Sequence, residues 1–118
     1  MRKRVLVVDD SNLMQHCITQ CLTNAGYEVI GKAKNGDEAV KLYKQLQPDA
    51  VTMDVTMRGK DGIAAAGEIL AAHPDAAIVF YTLLDIPNLD EQVRTLAVKN
   101  VVRKGDEAGL LKALAQLQ

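Results

Sequence analysis

The chain has little of what marks several special classes of protein. Its 118 residues include no tryptophan, three prolines and two cysteines. Two cysteines cannot form a disulfide scaffold, and the low proline content excludes a collagen-like or low-complexity chain. No apolar run approaches the ~18 residues that span a bilayer. The basic residues 1–4 are not followed by the long apolar stretch of a signal peptide. We therefore expect a cytoplasmic protein with no membrane partner.

The chain also has no excess of charge of either sign. Fourteen Lys and Arg residues balance fifteen Asp and Glu residues, for a net charge of −1. That balance gives no electrostatic reason to expect direct binding of nucleic acid. Hydrophobic residues make up 48% and charged residues 25%, as in ordinary globular proteins. The length and composition predict one domain over residues 1–118.

Short apolar runs alternate along the chain with helical patterns. Continuous apolar, β-branched runs are typical of strands covered on both faces of a parallel sheet. Such runs occupy residues 5–8, 28–30, 50–53, 76–81 and 101–102. Apolar residues three and four positions apart predict helices over residues 13–22, 35–46, 61–72, 87–98 and 106–117. This order predicts an α/β fold, a doubly wound five-stranded parallel sheet with five helices on its two faces.

Polar residues that can carry chemistry stand at the ends of four predicted strands. Asp9 and Asp10 follow the first strand, and Asp54 follows the third. Thr82 follows the fourth strand, and Lys104 follows the fifth. Taken singly, each has an ordinary role as a helix cap, a strand end or a solvated loop residue. Because ligands bind beyond the carboxyl ends of the strands in an open α/β sheet, the five together predict one site.

Three carboxylates at one edge need a compensating positive charge. Two like charges ~4 Å apart repel by about 4 kcal/mol at an effective dielectric constant of about 20. A divalent cation offsets this repulsion, and oxygen ligands favour Mg²⁺ or Mn²⁺. Mg²⁺ usually keeps coordination positions for water or a phosphate oxygen. Lys104 adds a mobile cation and Thr82 a hydroxyl donor, so the pattern predicts phosphoryl transfer with a carboxylate nucleophile.

At these residues the sequence resembles the receiver domain of bacterial two-component response regulators, in particular the free-standing chemotaxis (CheY-like) type. The acid pair, Asp54, Thr82 and Lys104 occur in the order of the family's motifs, and Asp61-Gly62 follows Asp54 at the family's distance. The resemblance covers the whole chain. It implies the flavodoxin-like strand order 2-1-3-4-5.

The resemblance implies a role for each acidic residue. Asp54 corresponds to the phosphoacceptor, which takes a phosphoryl group from a histidine of a sensor kinase or phosphotransfer protein. Asp9, Asp10 and Asp54 correspond to the family's Mg²⁺ ligands, and the backbone carbonyl of Thr56 completes that set. On this basis the chain is no enzyme beyond promoting its own aspartyl phosphorylation and dephosphorylation.

The resemblance also implies how the signal leaves the site. Lys104 would contact the phosphoryl group, and Thr82 would move to donate a hydrogen bond to it. A phosphoryl group carries a charge of about −2, which biases a two-state element. In this family that element is the face of the fourth helix, fifth strand and fifth helix, here residues 87–98, 101–102 and 106–117. A downstream protein would bind this face, and the chain would be a monomer, or a dimer when phosphorylated.

The sequence departs from the family pattern at three places. Val101 stands where an aromatic switch residue is usual, so we expect coupling to rest on Thr82 and the adjacent loop. Gly105 replaces the proline that commonly follows the lysine. Arg58 replaces the proline of a Met-Pro pair, and Lys60 follows it. We expect these two cations to lie beside the site and to alter the phosphoryl lifetime.

Other interpretations of the sequence remain open. A flavin or nucleotide binder shares the doubly wound fold, but its first loop needs phosphate-binding backbone amides rather than an acid pair. A receiver-like module could bind partners without phosphorylation, or the chain could be the receiver of a longer transcriptional regulator. Cys17 and Cys21 are expected to be buried, inert thiols, and His16 and His73 to be surface residues.

Overall fold

The computed structural model describes residues 2–83, 88–96, 98 and 100–117. Strands and helices alternate along it. The elements are β1 (Arg4–Val8), α1 (Asn12–Asn24), β2 (Glu28–Ala33), α2 (Gly36–Leu46), β3 (Ala50–Met53), α3 (Gly62–Ala72), β4 (Ile78–Thr82), α4 (Leu89–Leu96), β5 (Asn100–Arg103) and α5 (Glu107–Gln116). The strands pair in parallel in the order β2-β1-β3-β4-β5. This order confirms the predicted fold class.

The three central strands are buried on both faces. Every residue of β3 and β4, and every residue of β1 after Arg4, is buried. Their side chains alternate between two apolar clusters, so that Phe80 belongs to the cluster with α2, α3 and α4. Val79 belongs to the cluster with α1 and α5. Covering on both faces explains why the strands appear in the sequence as continuous apolar runs.

The helices begin at the edge of the sheet where the strands end. A polar side chain accepts a hydrogen bond from a backbone N–H in the first turn of four helices. These N-cap residues are Ser11, Asn35, Asp61 and Asp106. Such caps satisfy backbone donors that have no partner within the helix. They hold the loops that carry the candidate site in place.

The predicted boundaries differ from the structure in a few places. The second strand extends to Ala33 rather than residue 30, and the fourth begins at Ile78 and includes Thr82. Of the helix predicted over residues 87–98, residues 87 and 97 lie outside the described residues. No helix within the described ranges combines the length and the apolar character that crossing a bilayer requires.

The expectation that both thiols are buried is wrong for Cys17, which is exposed, while Cys21 is half-buried. The buried face of α1 consists of Gln15, Ile18 and Leu22. Cys17 precedes Ile18 by one position, roughly 100° around the helix, and so lies off this face. His16 is exposed as predicted. His73 is half-buried instead, because its ring packs 4.9 Å from that of Tyr43.

Candidate functional site

Three predicted acidic residues meet beyond the ends of β1 and β3. Val8 and Met53 are partners across these two strands, and the next backbone link is a 3.0 Å hydrogen bond from the N–H of Asp54 to the carbonyl of Val8. This register places Asp9 and Asp54 side by side. Asp9, Asp10 and Asp54 each offer a carboxylate oxygen, and these atoms all lie within 4.8 Å of one another. We call these three residues the acidic cluster.

Lys104 supplies a cation to the acidic cluster. Its Nζ lies 3.0 Å from Oδ2 of Asp9 and 3.1 Å from Oδ2 of Asp54. Its backbone N–H donates to the carbonyl of Thr82, which places the lysine directly after β5. Burial lowers the pKa of Lys104, but the neighbouring carboxylates of Asp9 and Asp54 outweigh burial and leave the pKa above its ordinary value. The amine is therefore a cation in the folded protein.

Asp54 lies at the centre of the site and is 3% exposed. Thr82 donates a 3.1 Å hydrogen bond from Oγ1 to Oδ1 of Asp54, while Lys104 contacts the other oxygen. Burial raises the pKa of Asp54, and the charge of Asp9 adds to this, although Lys104 and Thr82 act in the opposite direction. The carboxylate is thus poorly solvated and held by two donors, with its charge only partly compensated.

The acidic cluster fits a divalent cation. Oδ1 of Asp9 accepts a hydrogen bond from the N–H of Ser11. Oδ2 is buried and, among the described residues, has Lys104 as an ion-pair partner but no donor in hydrogen-bond geometry. Carboxylate oxygens are the ligands that hard cations prefer, and exposed Asp10 leaves the cluster open on one side. The role of the Thr56 carbonyl stays a prediction.

Gln15 was not predicted from the sequence. It is 6% exposed, and its Nε2 donates to the carbonyl of Asp9 at 2.8 Å and to that of Ala33 at 3.1 Å. The amide therefore holds the peptide that joins the two acids of the first loop. A polar residue three positions before Ile18, on the same helical stripe, was the signal that could have indicated it.

The loop after Lys104 has a support that the sequence did not indicate. Gly105 has a φ of +96°, which glycine adopts without steric cost. Its N–H donates a 2.9 Å hydrogen bond to the hydroxyl of Tyr81 on β4. Val101 is half-buried and packs against the cluster that contains Phe80. The turn that presents Lys104 is thus tied to the neighbouring strand.

The two cations expected beside the site have different environments. Lys60 forms ion pairs with Asp37, at 3.0 Å, and with Glu68, so it is directed toward α2 and α3. Arg58 instead lines an open pocket that also includes Asp10. The Lys60 amine is thus paired with two acidic neighbours, and its expected effect on the phosphoryl lifetime stays a prediction. Whether Arg58 alters the phosphoryl lifetime stays a prediction.

The sequence is similar to those of known proteins that belong to one family. Residues 5–115 match the family described as response regulator receiver domain. Chemotaxis protein CheY of Thermotoga maritima is 52% identical over 79 residues, which are 67% of this chain and 66% of that protein. CheY of Treponema pallidum is 39% identical over 117 residues, which cover 97% of this chain and 81% of that protein.

Solved structures show the same arrangement of strands and helices. A crystal structure described as the CheX-CheY-BeF3-Mg+2 complex from Borrelia burgdorferi superposes with a TM-score of 0.88 at 31% identity. The superposition covers 95% of this chain and 86% of that chain. The family match includes every residue predicted for the site.

Proposed function

The chain belongs to the response regulator receiver domain family, and from this membership we propose that it is a phosphorylation-activated switch whose phosphoacceptor is Asp54. Receiver domains are signalling switches rather than classical enzymes. One observation carries the proposal: the buried Asp54 carboxylate has Thr82 on one oxygen and Lys104 on the other, with two further acids beside it. That set combines a nucleophile, a cation and a hydroxyl donor at one point.

The proposed reaction moves a phosphoryl group from a donor histidine to Asp54. The P–N bond to the imidazole breaks while a P–O bond forms to a carboxylate oxygen of Asp54, and the bonding electron pair stays on the imidazole nitrogen. Lys104 faces the same carboxylate and would offset charge on the incoming phosphoryl oxygens. Thr82 would donate its hydroxyl hydrogen to one of them.

The acidic cluster would hold the divalent cation of this reaction. Asp9, Asp10 and Asp54 would supply carboxylate oxygens, and the Thr56 carbonyl would complete the protein ligands. When bound, the cation supplies positive charge that offsets the carboxylates and the phosphoryl oxygens. The ligand type favours Mg²⁺ or Mn²⁺.

Phosphorylation would be communicated to the face formed by α4, β5 and α5. Thr82 ends β4, and the Lys104 loop joins β5 to α5, so both contacts of Asp54 lie on segments that lead to this face. The added charge and the new acceptor oxygens would bias the position of these segments. We propose that a downstream protein distinguishes the two states here.

The proposed partners are a sensor histidine kinase or phosphotransfer protein as donor and a protein as target. The Borrelia CheY, which this chain resembles in fold and sequence, forms a complex with another protein, CheX. The resemblance to chemotaxis proteins supports a place in a chemotaxis-type phosphorelay.

A labelling experiment tests the proposal. We expect purified protein with Mg²⁺ and acetyl phosphate to acquire a phosphoryl group that survives acid and is lost in alkali, as an acyl phosphate is. Asp54→Asn removes the nucleophile and should remain unlabelled, whereas Asp49→Asn, at the opposite edge of the sheet, should label normally. Absence of label on the wild type, or equal label on Asp54→Asn, contradicts the proposal.

A second candidate function is partner binding without phosphorylation. Thr82 donates directly to Asp54, and Val101 provides no aromatic ring to change rotamer. A constitutive binding module would keep such an arrangement. Partner capture from a lysate with and without beryllofluoride separates the two functions, since a switch binds differently in the two conditions and a constitutive module does not.

A further inference from the structure

A polar pocket adjoins the acidic cluster on the side of the sheet away from Lys104. Its volume is about 490 Å³. It is lined by Asp10, Ser11, Lys34, Asn35 and Arg58, and we call these residues the rim pocket. They come from the loops that follow β1, β2 and β3, whereas Thr82 and Lys104 end β4 and β5. The rim pocket and Lys104 therefore flank the acidic cluster from opposite directions.

The rim pocket contains two cations, Lys34 and Arg58. Among the residues that the structure describes, neither the Lys34 ammonium nor the Arg58 guanidinium forms an ion pair. Lys60, two positions after Arg58, differs because Asp37 and Glu68 hold its amine. The charges of Lys34 and Arg58 are thus available to a group that enters the pocket from outside.

The loop that carries Arg58 is held on both sides of it. Met57 is 8% exposed and packs in the core. Lys60 is tied by its ion pairs, and its carbonyl accepts a 2.9 Å hydrogen bond from the N–H of Gly36. Arg58 stands between these two attachments with its side chain exposed. The backbone at Arg58 is therefore held at the rim pocket.

The charges of the neighbouring groups determine which kind of ligand the rim pocket can bind. Lys104 and a bound divalent cation would face the three carboxylates and the phosphoryl oxygens, while Lys34 and Arg58 add two positive charges on the other side of the acidic cluster. Ser11 and Asn35 are small polar residues whose side-chain oxygens already accept from the helix starts. A carboxylate that lies next to a transferred phosphoryl group matches these properties.

We propose that the rim pocket is an anion subsite for the phosphodonor, in which Arg58 and Lys34 bind an acidic side chain that flanks the donor's phosphohistidine. The proposal rests on Asp54 being the phosphoacceptor. It names the class of donor: a histidine segment with a carboxylate beside the reacting residue. Arg58 carries more of the effect than Lys34, because the Glu38 carboxylate accepts from the Lys34 backbone N–H and partly offsets the lysine's charge.

Two synthetic phosphohistidine peptides of equal length test the proposal, one with glutamate and one with glutamine beside the phosphohistidine. Transfer to Asp54 is followed with Mg²⁺ at low ionic strength. We expect the glutamate peptide to react roughly 3- to 10-fold faster, because one or two partly solvated ion pairs with Arg58 and Lys34 would strengthen its binding by about this factor. The preference should shrink as salt screens the charges.

Variants separate the rim pocket from overall charge. Arg58→Gln should remove most of the preference for the glutamate peptide, and adding Lys34→Gln should remove the rest. Lys44→Gln makes the same charge change on exposed Lys44 in the last turn of α2, at the opposite edge of the sheet, and should keep the preference. Acetyl phosphate should label Lys44→Gln as it labels the wild type.

The outcomes separate this proposal from the proposed function. If acetyl phosphate labels Asp54 but the two peptides react equally, or neither reacts, the subsite is wrong and the phosphoacceptor stands. An unchanged preference in the double variant overturns the subsite as well. If no donor labels Asp54, the proposed function fails and the subsite fails with it.

Discussion

Gly62, the first residue of α3, packs directly against the backbone of Asp54. A Cβ at position 62 would overlap the carbonyl oxygen of Asp54 and would lie 2.9 Å from Cα of Val55. The N–H of Gly62 also donates a 2.8 Å hydrogen bond to the carbonyl of Val55. The residue that follows Asp61 must therefore lack a side chain for the loop that begins at Asp54 to hold its position.

We expect Gly62→Ala to destabilise the protein and to displace Asp54. The backbone must move to accommodate the added methyl group, at about 1–3 kcal/mol of unfolding free energy. Urea unfolding measures the loss, and labelling with acetyl phosphate should become slower. Gly67→Ala is the control, because its Cβ would lie 3.5 Å from Cδ2 of Leu96 in ordinary contact. That substitution within α3 should stabilise by about 0.5–1 kcal/mol, and a similar loss in both variants would contradict the prediction.

The contribution of Asp54 to the stability of the folded protein should decrease as the pH rises. Burial raises the pKa of its carboxyl in the folded protein, so the folded state holds a proton at pH values where the unfolded chain has released it. The stabilisation that the Asp54 carboxyl contributes is fully present below its pKa in the unfolded chain, about 3.9. It is lost as the pH rises through the pKa of Asp54 in the folded protein.

Without a metal we therefore expect Asp54→Asn to be more stable than the wild type at neutral pH. The difference should shrink as the pH falls and vanish near the pKa of an unfolded aspartate. Urea unfolding in EDTA over a series of pH values measures it. The prediction is contradicted if Asp54→Asn is less stable than the wild type at neutral pH, or if their difference in unfolding free energy does not change with pH. Either result would show that the Asp54 charge is fully compensated.

Divalent cations should stabilise the folded protein through the acidic cluster. A ligand that binds only the folded state adds about 1.4 kcal/mol for each tenfold rise in concentration above its dissociation constant. We expect the thermal midpoint of the wild type to rise with Mg²⁺ and that of Asp10→Asn to rise much less, since Asp10 supplies one carboxylate. Asp75→Asn, which removes an exposed acid near the opposite edge, should behave as the wild type. An unaltered Mg²⁺ response in Asp10→Asn would exclude Asp10 as a ligand.

Gln15 should support the metal site through the backbone. Gln15→Met keeps the shape but leaves the buried carbonyl of Asp9 without the amide donor, at about 1–3 kcal/mol. We also expect weaker Mg²⁺ binding, because the peptide between the two acids is less well held; titration by isothermal calorimetry measures this. Gln20→Met on the exposed face of α1 should change stability by no more than ~0.5 kcal/mol. Equal Mg²⁺ affinities in the two variants would leave Gln15 a purely structural residue.

The alternation of strands and helices could be predicted because it depends on local pattern. Strands covered on both faces appear as apolar runs, for example residues 50–53, and an N-cap residue such as Asn35 marks the start of a helix. The order of the strands came from the family resemblance, since periodicity does not record which strands are neighbours. Asp9, Asp54, Thr82 and Lys104 could be selected because each lies at the end of a strand or directly after one, and parallel strands end at one edge.

Side-chain environments could not be predicted in the same way. Arg58 and Lys60 are close in sequence, but Asp37 and Glu68 from two other elements hold only Lys60. The exposure of Cys17 depended on which face of α1 meets the sheet, and a wide apolar stripe did not define that face. The support of Gly105 by Tyr81 joins residues far apart in the chain.

The amino-acid sequence by itself determined the α/β class, the elements and the residues that end each strand, because these follow from periodicity and from neighbours along the chain. Only the tertiary structure decided which carboxylate oxygens approach one another, which cation lies beside them and which amide holds their backbone. Those outcomes depend on the packing of segments that are distant in sequence, where a shift of a few ångströms makes or breaks an ion pair or a hydrogen bond.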